Sequence, residues 1–462
     1  MKIAVIGSGI AGMSAAWLLS QHSNTGNGSG GPHHVTLFEQ NESLGGHTNT
    51  VDVTLDGLTY PVDTGFLVFN DWTYPNLIAL FNHLGVEDAT SEMSFSVKLT
   101  DEQNASRIEW SGASLATVFS QPSNLFRPRF WRMLKDIVRF NKAATLLATQ
   151  KAELPGSLGA YLDANGYSET FRDWYLKPMA ACIWSTPTQQ IDGFPLATFL
   201  TFCHNHGLLS VSNRPQWRTV KGGARNYIEK MKTAIADIRL GASVTLVQRT
   251  TDGGGSIKVH SKAGLETFDQ VVFACHSDQI LKLLDDASET ESRVLSAIPY
   301  QPNIAILHTD ERLLPKRKRA WAAWNYLASY SADSARKTAS RPSSRPVSLS
   351  YLINRLQPVP FRTPVVVTMN PIQQPDPAKV IKTIHYDHPV FLAESVVAKR
   401  GLRTLQGERN TWYAGAWTRY GFHEDGLMSG IAVAKALGAV VPWQTNVPAA
   451  NDLSSAYPGV DS

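Results

Sequence analysis

Apolar positions open the chain as a short β-branched run, Lys2 to Ile6, which breaks at Gly7-Ser8-Gly9-Ile10-Ala11-Gly12 and resumes from Met13 to Leu19 with helical composition. That order predicts strand, tight turn, helix. A second run, Val35 to Phe38, ends in Glu39-Gln40, and Phe268 to Cys275 reads as a buried strand returning to the same sheet. Residues 76–214 are helix-like in composition, while 296–400 carry strand-like runs such as Asn303–His308 and Val365–Met369. Within 124–142, positions 130, 134, 137, 138 and 141 nearly keep the spacing of an amphipathic helix, failing only at Asn141.

The glycine turn has a physical reading. Gly7 permits the turn, Gly9 lets backbone approach a pyrophosphate, and Gly12 lets helix and strand pack closely, with the phosphates at the positive N-terminus of the following helix and Ile10 and Ala11, within the turn, expected at the cofactor. Glu39 stands at the end of the second strand, placed to accept hydrogen bonds from a ribose. The spacing from the glycines to Glu39 is longer than usual, and Asn24 to Pro32, rich in Gly, Ser and Asn, reads as an inserted flexible segment. A carboxylate at Glu39 repels a 2′-phosphate, which disfavours NADP and leaves FAD and NAD.

From Asn41 through Gly45-Gly46-His47-Thr48-Asn49-Thr50 the chain resembles the family of monoamine oxidase, protoporphyrinogen oxidase and phytoene desaturase. The resemblance implies FAD, with the amides of Gly45, Gly46 and Thr48 near its phosphates; His47 stands where many members carry arginine. Tyr60 to Phe66, with Gly65 and Phe66, resembles the strand and loop beneath the flavin. Trp217 to Ala224 resembles a turn before a helix, and the position of Val244 bonds adenine through its backbone in relatives. Trp412 to Trp417, containing Gly415, and Tyr420 to Gly430 resemble the closing strand, loop and helix. There Gly426, Leu427 and Met428 open a helix facing the flavin pyrimidine, and Tyr420, His423 and Glu424 are the catalytic candidates. A closer likeness, on Gly45–Thr50, Asp63–Phe66, Glu92–Ser96 and Gly421–Gly426, is to an uncharacterised subgroup whose bacterial members resemble companions of fatty-acyl modification, which implies a lipid substrate by association.

The resemblance is scattered over the chain, so the expected α/β FAD-binding domain, Rossmann-like and of glutathione-reductase type, is discontinuous: 1–75, 215–295 and 405–440. An inserted α+β substrate domain takes 76–214 and 296–404, with a flexible loop at 330–346 and a tail at 441–462.

Bulk properties narrow the function further. Hydrophobic residues are 43%, charged residues 18%, and the net charge is +4, which gives no reason to expect nucleic acid. No apolar run reaches the roughly 18 residues of a membrane-crossing helix, and Met1–Ile6 lacks the pattern of a secretory leader, so cytoplasmic residence is expected. Cys182, Cys203 and Cys275 show no metal or disulfide spacing, and His204 and His206 fall on different sides of a helix, so no metal is expected. The six basic residues against one acid in 124–142 allow either a surface helix or peripheral membrane contact. Pro315 to Arg319 reads as a solvated basic loop. No Gly-x-Ser-x-Gly elbow supports a hydrolase. The expected activity is FAD-dependent dehydrogenation or double-bond isomerisation of an apolar, fatty-acyl substrate. Amine oxidation and flavin-bearing lipid binding without turnover are the alternatives.

Overall fold

In the computed structural model Lys2–Ile6 is the central strand of a five-stranded parallel sheet ordered 237–239, 34–38, 2–6, 270–273, 411–413. The structure describes residues 1–21, 33–100, 106–150, 154–184, 187–210, 214–249, 255–329, 348–390 and 392–452. The insertion at 24–32, the loop at 330–346 and the last ten residues lie outside them. Ile3, Ala4, Val5 and Ile6 are all buried, as expected of a strand covered on both faces. Ile3 and Val5 pack towards the helices. Ala4 and Ile6 pack with Val271 and Phe273 against a three-stranded meander, 244–249, 257–261 and 264–268.

Helices α1 (Ile10–Gln21), α2 (Pro75–Leu84) and α4 (His423–Ala436) pack beside the five-stranded sheet, and α3 (Pro128–Thr149) belongs to the second lobe. α1 and α4 meet where Gly430 leaves no room: a Cβ there would lie 2.1 Å from Ser14 Oγ and 2.3 Å from the Ala11 carbonyl oxygen.

The second lobe is built on a seven-stranded sheet ordered 380–389, 300–308, 366–369, 348–352, 324–329, 95–100, 106–111, backed by α3 and the helices at 177–184 and 196–205. Two of its strands, Phe95–Thr100 and Ser106–Ser111, come from the stretch expected to be helical. Their alternation, with Val97, Leu99, Ile108 and Trp110 buried, is the period of two that an overall composition conceals. α3 also differs from its expected face. It buries Phe130, Met133, Asp136, Phe140 and Ala144, whereas Val138 is 67% exposed. Among the described residues no helix is long and apolar enough to cross a membrane.

Candidate functional site

The three glycines of the first turn divide their labour. A Cβ on Gly7, whose φ is +104°, would meet the Ala274 carbonyl oxygen at 2.9 Å, and one on Gly12 would lie 1.8 Å from the Gly7 carbonyl oxygen. Both positions hold helix against strand. A Cβ on Gly9 would meet nothing within 4 Å, so that space faces an open cavity at the start of α1, where unpaired backbone N–H groups favour an anion. The second glycine turn closes on the first: Gly45 N–H donates to the Ser8 carbonyl at 3.1 Å, and a Cβ on Gly46 would lie 3.3 Å from Gly9 Cα. Glu39 is buried and held from both sides. Ser8 N–H and Oγ donate to one carboxylate oxygen at 3.1 and 2.5 Å, and Asn41 N–H and Nδ2 donate to the other at 2.9 Å each.

One cavity of about 920 Å³ runs from these turns into the second lobe. Of the residues expected at the cofactor, Gly7, Gly9, Ile10, Ala11, Glu39, Gln40, Gly45, Gly46, His47, Thr48, Gly65, Phe66, Val244 and Gly415 line it. Gly12, Gly426, Leu427 and Met428 do not. Gly426 serves packing instead, since a Cβ there would lie 2.7 Å from Ile10 Cγ2, while Leu427 is fully buried in the core between sheet and helices and Met428 packs against it.

The loop ahead of α4 brings Tyr420 and His423 to the cavity. The His423 ring stacks on Phe66 with centroids 3.8 Å apart, and its Nε2 lies 2.8 Å from Tyr227 Oη, which is 2.5 Å from Thr48 Oγ1. Burial holds this imidazole down to about 3, so at neutral pH it is uncharged and ties α4 to the second glycine turn. Burial pushes Tyr420 up to about 12.

Glu424 departs from expectation. Its side chain is turned away from the cavity and accepts from Asn76 N–H and Nδ2 at 2.9 and 2.8 Å and from Leu77 N–H at 2.9 Å, at the N-terminus of α2. A carboxylate satisfies the free amides of a helix start and complements its dipole. Replacing Glu424 by Ala leaves these buried donors unpaired and is expected to cost about 2 kcal/mol, seen as a drop of a few degrees in Tm with an unchanged flavin spectrum. An altered spectrum at unchanged Tm would return Glu424 to the chemistry.

Several site residues were not singled out from sequence. His276, Tyr300, Tyr386 and His388 come from the strand junctions of both lobes and meet His47. Its ring lies 4.8 Å from Tyr386, 5.2 Å from His388 and 6.4 Å from His276, and His276 stacks on Tyr300 at 4.4 Å. Asp63 is a second omission. Buried, and pushed up to about 6 by that burial, it accepts from Ala224 N–H, Thr50 Oγ1 and Gln357 Nε2, joining the loop beneath the cavity to segments of both lobes. In the second lobe, His206 lines the cavity beside Phe202 and burial lowers it to about 4, whereas His204 does not reach the cavity. Among the described residues no group of three His, Cys, Asp or Glu could hold a metal.

The residues fit FAD. Open space over Gly9, paired glycine turns at a helix N-terminus, a fixed carboxylate at Glu39 and a buried His47 Nε2 with no partner suit a dinucleotide pyrophosphate and ribose. The family model described as flavin containing amine oxidoreductase matches residues 10–358. No curated protein matches the sequence. Among solved structures, the chain is similar to a CLA-producing fatty acid isomerase from P. acnes, with 16% identity, 94% of this chain and 98% of that one covered, and a TM-score of 0.60. It is similar also to cyclohexylamine oxidase from Brevibacterium oxydans IH-35A, with 16% identity, 94% and 99% covered, and a TM-score of 0.61. For putrescine oxidase the values are 13%, 95%, 99% and 0.61.

Proposed function

The chain belongs to the family of flavin-containing amine oxidoreductases and uses FAD, and on that footing we propose that it dehydrogenates or isomerises a fatty-acyl substrate. The fold is shared by a fatty acid isomerase and by amine oxidases alike, so the reading rests on charge inside the cavity. A buried ammonium needs a carboxylate or an aromatic cage. The carboxylates lining the cavity are Glu39, engaged by Ser8 and Asn41, and Asp387, which is solvent-exposed near the end of the strand 380–389. Beside Met93, Ile183, Leu208, Met369 and Ile384 the lining of the far wall includes Trp184, Phe202, Trp324 and Tyr351, so it is the lack of a free buried carboxylate among the described lining residues that weighs against an amine.

Bound FAD supplies a two-electron acceptor at its N5. The chain then has to hold an acyl segment against it and exclude water. The Trp324 indole N–H is buried at this wall without a hydrogen-bond partner, and it supports the reading as a donor to an acyl oxygen. Lys382, exposed on the strand 380–389, offers a cation for a free carboxylate at the cavity mouth.

The test is the anaerobic spectrum of the holoprotein with unsaturated fatty acids and, separately, with amines. Bleaching by lipid, or a shifted double bond with the oxidised spectrum retained, supports the proposal. Bleaching by an amine alone overturns it, and a flavin indifferent to both favours a binding protein.

The same reading gives α3 a role as approach to a bilayer. It exposes Trp131, Val138 and Leu146 together with Arg132, Lys135 and Lys142, and Phe126 just before it is 86% exposed. These three cations have no hydrogen-bond or ion-pair partner among the described residues, and such a face suits anionic lipid. Co-sedimentation with vesicles containing phosphatidylserine should fall about tenfold or more in R132E/K135E. Equal sedimentation of variant and wild type would remove the bilayer from the picture.

A further inference from the structure

A dinucleotide pyrophosphate brings two negative charges, and a helix N-terminus returns only about half a positive one. Among the described residues that line the cavity receiving it there is no arginine. Its two lysines do not supply a buried charge: Lys282 is exposed and paired with Asp278, and Lys382 is exposed on the strand 380–389. What the cavity has in place of arginine is imidazole. His47 follows directly on Gly46, the glycine that abuts Gly9 at the start of α1, and its ring is surrounded by those of His276 and His388. Its Nε2 is buried and has no partner among the described residues, an arrangement that costs free energy unless a ligand completes it.

We propose that His47, with His276 and His388 around it, is the titratable counter-charge for the FAD pyrophosphate, so that FAD binds together with a proton taken from solvent. The surroundings agree with this. Without the ligand, burial and repulsion from the neighbouring imidazoles hold His47 well below 6.5, burial lowers His276, and burial with repulsion from His276 brings His388 to about 4, so all three are neutral at pH 7. The other groups facing them are few. The Tyr386 ring stacks on His47 while its hydroxyl bonds Thr64 and Asn49, His423 adds repulsion at His47, Tyr300 stacks on His276, Asp278 and Asp387 favour the charged form of His276, and the Asn303 carboxamide lies 3.1 Å from His388 Nδ1. An arriving dianion raises the affinity of the cluster for a proton, which belongs to the cluster as a whole. The sign follows from linkage: affinity for FAD is highest where the proton is available and falls as pH rises through the value of the bound cluster. The pyrophosphate diester itself does not titrate in this range.

The test uses apoprotein stripped of FAD and reconstituted in a calorimeter at pH 7, in phosphate and in Tris, whose heats of ionisation differ. The expected result is uptake of about one proton per FAD and a Kd that rises up to tenfold per pH unit between pH 6 and 9. H47R, carrying a fixed charge, should bind FAD with no uptake and a flat pH profile; H47Q should bind more weakly at pH 6 and also lose the uptake. Far-UV circular dichroism of each apoprotein separates these effects from misfolding. FAD binding with zero uptake and a flat profile in the wild type overturns the proposal, while failure to bind FAD at all would instead contradict the cofactor assignment.

Discussion

Gly9→Leu is expected to give a colourless protein with an intact fold. The position has no neighbour within 4 Å of an added Cβ and no positive φ, so the ligand-free chain accommodates the side chain without strain. What the leucine occupies is the approach of backbone to pyrophosphate. Loss of that approach should weaken FAD by a factor of about 1,000 or more, roughly 4 kcal/mol. The check is flavin absorbance after reconstitution, beside the Tm of the two apoproteins, which should agree within about a degree. A yellow variant would move the pyrophosphate elsewhere. A colourless variant with a collapsed Tm would make Gly9 a packing residue like Gly12.

The opposite pattern is expected at Gly430. Ser14 Oγ can rotate away from a new side chain, but the Ala11 carbonyl belongs to the backbone of α1 and cannot, so Gly430→Val must push α4 off α1. Overpacking of this kind costs about 3 kcal/mol or more. Thermal unfolding of the apoprotein should therefore show a clear drop in Tm. FAD should be lost as a consequence, because α1 and α4 both begin at the cavity. An unchanged Tm would mean the helices can slide apart at no cost.

The cofactor half of the site was legible because each part is a local backbone device. Gly7 to Gly12, Glu39 and Gly45-Gly46 each declare themselves within a few residues, and they meet around Ser8 and Gly9. The rest depends on direction and distance. Glu424 is the immediate neighbour of His423, yet consecutive helical residues point about 100° apart, and nothing local says which of the two meets the cavity. Tyr386 and His388 reach His47 from the strand 380–389, which pairs edge to edge with 300–308, whereas His276 comes from beyond the strand 270–273 of the other sheet and meets them through Tyr300. In sequence each is an ordinary polar residue near a strand end. Phe95–Ser111 was obscured by helix-like surroundings, although the alternation of Val97 and Leu99 marked it.

The five-stranded sheet also fixes when in its life the protein can become an enzyme. Lys2–Ile6 and His34–Phe38 precede the rest of that sheet along the chain, but Gln270–Phe273, which pairs with Lys2–Ile6, and Thr411–Tyr413, which pairs with Gln270–Phe273, are synthesised much later, and α4 later still. For most of translation the nascent glycine turn lacks the later strands of its sheet and exposes unpaired strand edges to solvent or to chaperones. Cofactor loading is thus a late step of biogenesis, and an elongation complex stalled before residue 411 should carry no flavin.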